Sequence, residues 1–314
     1  MTRSARPPVS VAVALVCAFL VGACGTDEGP TTERAAAAVP SGFPVTIDTA
    51  TGEVEIPARP EHIVSLSPTA TEMLFAIEAG EQVIAVDDQS DHPPEVPTTD
   101  LSGFEPNVEA IASYEPDLVV ASDDGGGLKT LADLDIPLLV LPAAATVDDT
   151  YAQIEQLGVA TGHVGDAADE VATIKSRIDE IVATIPDFEE PPTYYHELDQ
   201  TYFTATSDTF IGQVYELAGL ENIADKADKA GAGYPQLSAE YIVEADPDLI
   251  FLADSECCNQ TPARVARRPG WGRISAIEDD AIFDVGDDIS SRWGPRVVDF
   301  LQIVVDAVIQ LESL

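Results

Sequence analysis

Few side chains could carry out catalysis or hold a metal, and their spacing in the sequence fits neither a catalytic motif nor a metal site. The four histidines are far apart in sequence, and no two of them share the spacing of a zinc site. Ser67 and Ser207 stand outside the Gly-x-Ser-x-Gly motif that presents a hydrolase nucleophile. Three glycines at 125–127 lack the dinucleotide and phosphate-loop motifs. We therefore expect no catalytic residue, no resident metal and no cofactor, and predict that the chain is not an enzyme.

Cysteine chemistry is confined to two short segments. Cys17 lies within an N-terminal apolar run and Cys24 directly follows it, so an exported and processed chain would keep only Cys257 and Cys258 in its folded part. These adjacent residues can pair with each other, pair between molecules or stay free. In an oxidising exterior we favour a vicinal disulfide.

The N-terminus has the organisation of a bacterial export signal. Two arginines precede the uncharged apolar run Val9–Val21, which is too short for a membrane-spanning helix. Small residues then precede Cys24, as in a lipobox, so residues 1–23 are predicted to be a lipoprotein signal peptide and Cys24 the lipid-modified N-terminus. The alternative is an ordinary secretory signal with a chance cysteine. Residues 24–43 lack apolar periodicity and are predicted to be a flexible tether.

The composition is strongly acidic. The chain has 56 acidic and 15 basic residues, for a formal net charge of −41, and losing the two arginines of the signal would make it −43. Phosphates would be repelled, so we expect no nucleic-acid partner. An anionic ligand would need local basic groups, whereas a neutral or cationic ligand would not.

An internal repeat is the strongest structural feature of the sequence. The segment Val108–Val120 resembles Ala239–Phe251 at an offset of 131 residues, with Glu, Ile, Pro, Asp and Leu at matching positions. Each copy predicts a short helix, with Asn107 or Ser238 as its N-cap, followed by a Pro-Asp turn and an apolar strand buried on both faces.

A second pair of segments extends the repeat. Ser67–Gly80 resembles Ser207–Gly219, and each predicts a helix that ends at a glycine and follows a strand. Both halves of the chain therefore alternate strands with helices. This order predicts parallel sheets with right-handed crossovers.

The predicted fold class is α/β, with two Rossmann-like lobes joined by a single long linker helix and a ligand cleft between the lobes. Helical spacing from Asp166, the predicted N-cap, to Ile185 indicates the linker, although an ordinary helix of the first lobe is the alternative. A final amphipathic helix is predicted over 295–314. The predicted domains are an N-terminal lobe at 44–150, a linker region at 151–190 and a C-terminal lobe at 191–314.

From about Val45 onward the sequence resembles a known family, the binding proteins of iron-siderophore and vitamin B12 ABC importers. The resemblance is carried by Ile63–Glu72, by the paired Glu115–Val119 and Asp246–Ile250, and by Arg292–Arg296 before the last helix. It implies two lobes on one rigid helix, small closing motions, and a cleft that holds a ferric siderophore or a cobalamin or other corrinoid. It also implies ABC permease and ATPase subunits as partners, and we expect a membrane-anchored monomer at the extracytoplasmic face.

Loops at the carboxyl ends of the strands should line the cleft, because ligands of doubly wound sheets bind there. Aromatic faces suit a large flat or catecholic ligand, and an arginine suits a carboxylate or anionic chelate. Each residue also has a local alternative, as a cap, a packed ring or a solvated charge. The candidate ligand-binding residues are Ser67, Thr69, Phe104, Ser122, Tyr202, Phe203, Tyr234, Arg292 and Trp293.

The resemblance further implies that one acidic residue of each lobe meets arginines of the permease. The candidates are Asp123 and Asp124 in the first half and Asp254 and Glu256 at the matching positions of the second. Glu109 and Glu240 form a rival pair, for which we favour a local role, compensation of the charge of a helix N-terminus. The first-half loop lacks the glutamate often found there.

Three questions stay open from the sequence. The ligand is a siderophore, a corrinoid or haem, since one tryptophan and two arginines near 292–296 do not decide. A secreted α/β enzyme on the same lobes is an alternative, but it would need a nucleophile with a base or a redox site. A surface sensor is the other alternative.

Overall fold

A computed structural model describes residues 42–49 and 51–313 of the chain. The predicted signal peptide, Cys24 and nearly all of the predicted tether lie outside these residues. Within them, no helix has the length and apolar character needed to cross a membrane.

The secondary structure alternates between strands and helices, as the sequence predicts. The strands are β1 Val45–Thr49, β2 Gly52–Ile56, β3 Ile63–Leu66, β4 Val83–Val86, β5 Leu118–Ala121, β6 Leu138–Val140, β7 Thr193–Glu197, β8 Glu221–Asn222, β9 Leu249–Leu252 and β10 Ile282–Asp284. The helices are α1 Pro68–Ala76, α2 Val108–Ala112, α3 Val147–Thr161, α4 Val164–Val182, α5 Phe210–Leu217, α6 Ala239–Ala245, α7 Ser255–Cys258, α8 Pro262–Val265, α9 Ser275–Glu278, α10 Asp287–Ser291 and α11 Val297–Glu312.

Two separate parallel sheets carry the fold. The first sheet has the strand order β4-β3-β5-β6, and the second has the order β8-β7-β9-β10. Strand by strand the two orders are the same, with β3 corresponding to β7 and β5 to β9. The predicted α/β class is therefore confirmed. The β1-β2 hairpin, which is antiparallel, forms a third small sheet.

The repeated segments occupy equivalent places, because α2 leads into β5 and α6 leads into β9. The predicted N-caps are confirmed: the Asn107 side chain accepts from the amide of Ala110, and the Ser238 side chain accepts from the amide of Tyr241. Strands β3, β5 and β9 are buried at every residue, as expected of strands covered on both faces.

The helix predicted to begin at Asp166 begins earlier, so that prediction is wrong at its start. Helix α4 starts at Val164, and the Asp166 carboxylate lies 2.9 Å from Nδ1 of His163 instead of capping the helix. Gly162, with φ of 80°, ends α3 and separates it from α4. Helix α3 runs through Gly158 without a break.

Gly158 has a packing role. A Cβ at this position would lie 2.5 Å from the Cβ of Ala167, so the glycine lets α3 and α4 approach closely. The buried face of α4 is a stripe at helical spacing that includes Val171, Ile174 and Ile178. Helices α3 and α4 thus form a packed pair between β6 and β7. The division of the chain at 150 and 190 stays a prediction.

Candidate functional site

The turn after β3 uses its polar side chains locally. Ser67 is buried and accepts a hydrogen bond of 3.3 Å from the amide of Ala70, which caps α1. Thr69 is buried in the first turn of the same helix. These two predicted ligand-binding residues therefore shape the start of α1. Ser122, after β5, is half-buried and lies at the matching strand end of the same sheet.

Three predicted aromatic residues are exposed. Phe104 is 87% exposed, Tyr234 is 49% exposed and Phe203 is 39% exposed. Phe104 lies shortly before α2, and Tyr234 lies shortly before α6, so the two rings come from equivalent places in the two sheets. Because these rings are exposed, they are available for contact with a ligand.

The two segments that carry the aromatic residues of the second sheet are tied together. The amide of Leu237 donates to the carbonyl of Tyr202 over 3.0 Å, and Phe203 forms an antiparallel bridge with Gln236. The sequence predicted that Tyr202, Phe203 and Tyr234 serve one surface. Their placement on paired segments agrees with that expectation, while a ligand role stays a prediction.

Asp228 holds the turn that leads to Tyr234. Its Oδ2 accepts a hydrogen bond of 2.7 Å from the amide of Gly233, and this bond, with others from neighbouring backbone amides, lowers the pKa of the carboxyl group. The carbonyl of Gly233 in turn accepts from the amide of Thr206. The turn is therefore ordered by its own backbone donors.

A buried ion pair lies at the carboxyl end of β7. Glu197 is fully buried, and its two oxygens accept from the two terminal nitrogens of Arg268 at 2.5 and 2.6 Å. The guanidinium also lies 5.4 Å from the ring centroid of Tyr202 and 4.6 Å from that of the buried Trp271. A predicted ligand-facing residue, Tyr202, thus rests on this pair, which the sequence analysis missed.

Asp254, at the end of β9, is fully buried next to this ion pair, and neither of its carboxyl oxygens has a hydrogen-bond donor among the described residues. Burial, together with the charge of Glu197, raises the pKa of Asp254 to about 7. A protonated Asp254 can donate to Glu197. The prediction that Asp254 docks a permease is wrong, because the side chain does not reach the surface.

His196 is also internal. Its Nδ1 shares a hydrogen bond of 2.8 Å with the hydroxyl of Tyr215, and burial lowers its pKa to about 3. The imidazole is therefore neutral across the ordinary pH range. This is a structural histidine on a buried strand.

Arg292 is not open to a ligand. The side chain is buried, and its nitrogens contact carboxyl oxygens of Glu72 and Asp91, both at 2.9 Å, and of Asp288 at 2.8 Å. It also donates to the carbonyl of Gln89. Burial would lower the pKa of Arg292, but the hydrogen bonds to Glu72 and Asp91 outweigh burial and raise it. These contacts correct the prediction that the guanidinium receives an anionic ligand.

Arg296 completes this arrangement. Its Nε and one terminal nitrogen donate to the two oxygens of Glu72 at 2.9 and 2.6 Å. Glu72 belongs to α1, beside the first sheet, whereas both arginines lie between β10 of the second sheet and α11. We call this group, made of Glu72, Asp91, Asp288, Arg292 and Arg296, the Glu72 cluster.

Trp293 is half-buried beside the Glu72 cluster. Its indole nitrogen donates to Oε1 of Gln153 over 3.0 Å, and its carbonyl accepts from the hydroxyl of Thr150. Both partners belong to α3. The ring is thus held in place, and part of it stays accessible for a ligand contact.

The remaining docking candidates lie at the surface. Asp123 accepts from the amide of Gly125 within its own turn, Asp124 pairs with Lys129, and Glu256 is exposed. The rival pair is also exposed: Glu109 lies in the first turn of α2, and Glu240 lies in the first turn of α6.

Among the described residues, no group of three or more His, Cys, Asp or Glu side chains is arranged to hold a metal ion. The two arginines near the strand ends, Arg268 and Arg292, are both engaged by buried carboxylates. The site therefore offers aromatic faces and acidic surroundings.

Comparisons with known proteins agree with this architecture. A chain of Bacillus subtilis (strain 168), named an uncharacterized ABC transporter substrate-binding lipoprotein, is 30% identical over 95% of either chain. A cobalamin-binding protein of Halobacterium salinarum is 31% identical over 78% of this chain and 68% of its own length. The solved structure of a protein from Staphylococcus epidermidis ATCC 12228, described as a possible iron-binding (periplasmic solute-binding) protein, superposes with a TM-score of 0.71 at 25% identity, covering 80% of this chain and 99% of the other.

The family assignment rests on most of the folded region. The sequence profile described as periplasmic binding protein matches residues 63–289, which include strands of both sheets. The predicted family is thereby confirmed, and with it the prediction of a solute-binding protein rather than an enzyme. The chain belongs to the periplasmic binding protein family.

Proposed function

We propose that this protein is the extracytoplasmic, lipid-anchored binding subunit of an ABC importer and that its ligand is a corrinoid. The observation that carries the ligand class is the pair of exposed rings, Phe104 and Tyr234, at equivalent places before α2 and α6. Two aromatic faces on two lobes suit a broad, flat metal chelate held between them.

Charge favours a corrinoid over an anionic ferric siderophore. The chain carries a formal charge of −41, and the arginines near the strand ends already pair with carboxylates. An anionic chelate would meet repulsion from this charge, and Arg268 and Arg292 are already engaged by carboxylates. A neutral or cationic corrinoid would not, and a relative of 31% identity is named a cobalamin-binding protein. A ferric siderophore is the second candidate, from the resemblance in the sequence.

Binding is tested by isothermal titration with cobalamin, haem and an anionic ferric catecholate. We expect saturable binding of cobalamin, weakened about tenfold or more by Phe104→Ala or Tyr234→Ala, because each loses an aromatic face. Tyr114→Ala is the matched control, since this exposed ring lies past the end of α2, away from the carboxyl ends of the strands. Preferential binding of the catecholate, or binding that ignores both substitutions, contradicts the proposal.

Anchoring and docking form the second half of the proposal. Cys24 follows a lipobox, and the relative from Bacillus subtilis is named a lipoprotein. With Asp254 buried, Glu109 and Glu240 are an acidic pair at equivalent, exposed positions of the repeat, each in the first turn of a helix. We favour these two as the residues that meet basic groups of the permease.

Uptake in cells separates docking from ligand capture. The double variant Glu109→Gln/Glu240→Gln should bind cobalamin normally but lower its uptake about tenfold or more, because two charge pairs with the permease are lost. Glu53→Gln/Glu55→Gln removes two exposed charges from β2 and serves as the control. Equal uptake by both doubles argues against this docking pair. Loss of membrane retention in Cys24→Ala tests the anchor.

A further inference from the structure

The segment between β9 and α8 carries the two adjacent cysteines in a short helical turn, α7. The structure pairs Cys257 with Cys258 in a disulfide. Cys257 is exposed and Cys258 is half-buried, so a reductant can reach the bond. The matching segment of the first sheet has three glycines instead.

Both ends of this segment are fixed to the second sheet. At its start, the carboxyl group of Asp254 is buried beside Glu197. At its end, the amide of Gln260 donates to the carbonyl of Asp254, and Oε1 of Gln260 accepts from Arg268 at 3.4 Å. The cysteine pair therefore lies between two anchored points, and its conformation decides where the turn's amides point.

Those amides are bound by the start of α10. The two carboxyl oxygens of Asp287 accept from the amide of Glu256 at 3.0 Å and from the amide of Cys257 at 2.8 Å. The Ser255 hydroxyl donates to the carboxylate of Asp284 at 2.8 Å. The cysteine turn is thus joined to α10 by two hydrogen bonds and to the end of β10 by a third.

Helix α10 leads directly into the Glu72 cluster. Asp288, the neighbour of Asp287, contacts Arg292 at 2.8 Å, and the amide of Arg292 donates to the carbonyl of Asp288. Arg292 then contacts Glu72 of α1 at 2.9 Å. The hydrogen bonds to Asp287, the backbone from Asp287 to Asp288 and the contacts of Arg292 therefore connect the cysteine turn with the helix beside the first sheet.

We propose that the Cys257–Cys258 disulfide is a redox-sensitive positioning element, which holds α10 in the place from which Arg292 joins the two lobes. If the proposed function holds, the position of α10 also sets the width of the ligand cleft between the lobes. The disulfide closes a ring around one peptide bond, so it restricts the backbone of a four-residue turn that is too short to be a stable helix alone.

Reduction would release this restraint. A dithiol reductant supplies two electrons and two protons, the bond between the cysteine sulfurs breaks to give two thiols, and the dithiol becomes a disulfide. The turn can then relax, the amides of Glu256 and Cys257 leave Asp287, and α10 gains freedom. Because Arg292 depends on α10, contact between the lobes weakens and a bound ligand escapes faster.

Hydrogen exchange of the ligand-free protein tests the structural half. We expect reduction to speed amide exchange in residues 284–292 about tenfold, and Cys257→Ser/Cys258→Ser to reproduce this under oxidising conditions. Asp287→Asn cuts the connection without touching the cysteines, so reduction of this variant should add little over 284–292. If reduction leaves amide exchange over 284–292 unchanged, the proposal is overturned. It is also overturned if the peptide that contains Cys257 and Cys258, taken from the oxidised protein, carries two free thiols.

The dissociation rate of cobalamin tests the functional half. Reduction should raise the dissociation rate about threefold to tenfold in the natural sequence. It should leave the dissociation rate of the Asp287→Asn variant unchanged. If cobalamin does not bind at all, the proposed function fails while the exchange result still decides the redox coupling. If cobalamin binds and its dissociation rate ignores reduction, the positioning role is wrong although the proposed function stands.

Discussion

Replacing Glu72 with alanine should lower the free energy of unfolding by about 3 kcal/mol. Glu72 is buried and accepts hydrogen bonds from both Arg292 and Arg296, so its removal leaves Arg296 without either of its carboxylate contacts. Removing one partner of a buried ion pair costs this much because the other charge stays desolvated. Urea unfolding, followed by circular dichroism, measures the change.

The matched control is an exposed ion pair of the same chemistry. Arg177 and Asp299 lie 3.2 Å apart with about half of each side chain exposed, at 50% and 48%. Asp299→Asn should therefore cost less than about 1 kcal/mol. If Glu72→Ala lowers the free energy of unfolding no more than this control does, the Glu72 cluster, which connects α1 with the segment before α11, contributes little to stability.

Replacing Asp254 with asparagine should stabilise the protein at alkaline pH by about 4 kcal/mol and leave it unchanged at pH 4. Burial, then the charge of Glu197, raises the pKa of this carboxyl group from 3.8 to about 7. The folded protein therefore holds a proton that the unfolded chain has lost, and stability falls as pH rises between these two values. The amide of asparagine donates to Glu197 at every pH and removes that loss.

Urea unfolding at a series of pH values from 4 to 9 isolates the Asp254 contribution. His196 has a lowered pKa of about 3 and destabilises the fold as pH falls below its ordinary value, but it does so equally in both proteins and cancels in the comparison. Glu256→Gln removes an exposed charge two residues further on and should leave the pH profile unchanged. A profile of Asp254→Asn that parallels the natural sequence contradicts the buried-proton assignment.

The two predictions concern related devices at the two sheets. Glu72 in α1 and Glu197 at the end of β7 are each buried and each bound by arginine from a segment distant in sequence. Each arginine is thereby withdrawn from ligand binding. Among the predicted ligand-binding residues, the large exposed side chains are the rings of Phe104, Phe203 and Tyr234, which is why aromatic contacts carry the proposed function.

The sequence by itself determined the elements and their order, because these depend on nearby residues. Apolar runs such as Leu118–Ala121 bury both faces of a strand, and Asn107 and Ser238 cap helices through bonds to amides three residues away. Repetition of this local pattern at one offset predicted two equivalent sheets. The same reasoning placed the aromatic residues before the paired helices.

Only the tertiary structure decided which charges face the ligand and which are internal. Arg292 is separated from Glu72 by 220 positions, and Arg268 is separated from Glu197 by 71. No local pattern connects residues so far apart, so the sequence predicted a free Arg292 and an exposed Asp254. A polar side chain at a strand end can be solvated or buried, and the outcome depends on whether a distant partner offsets its desolvation. That partner is identified only when the chain has folded.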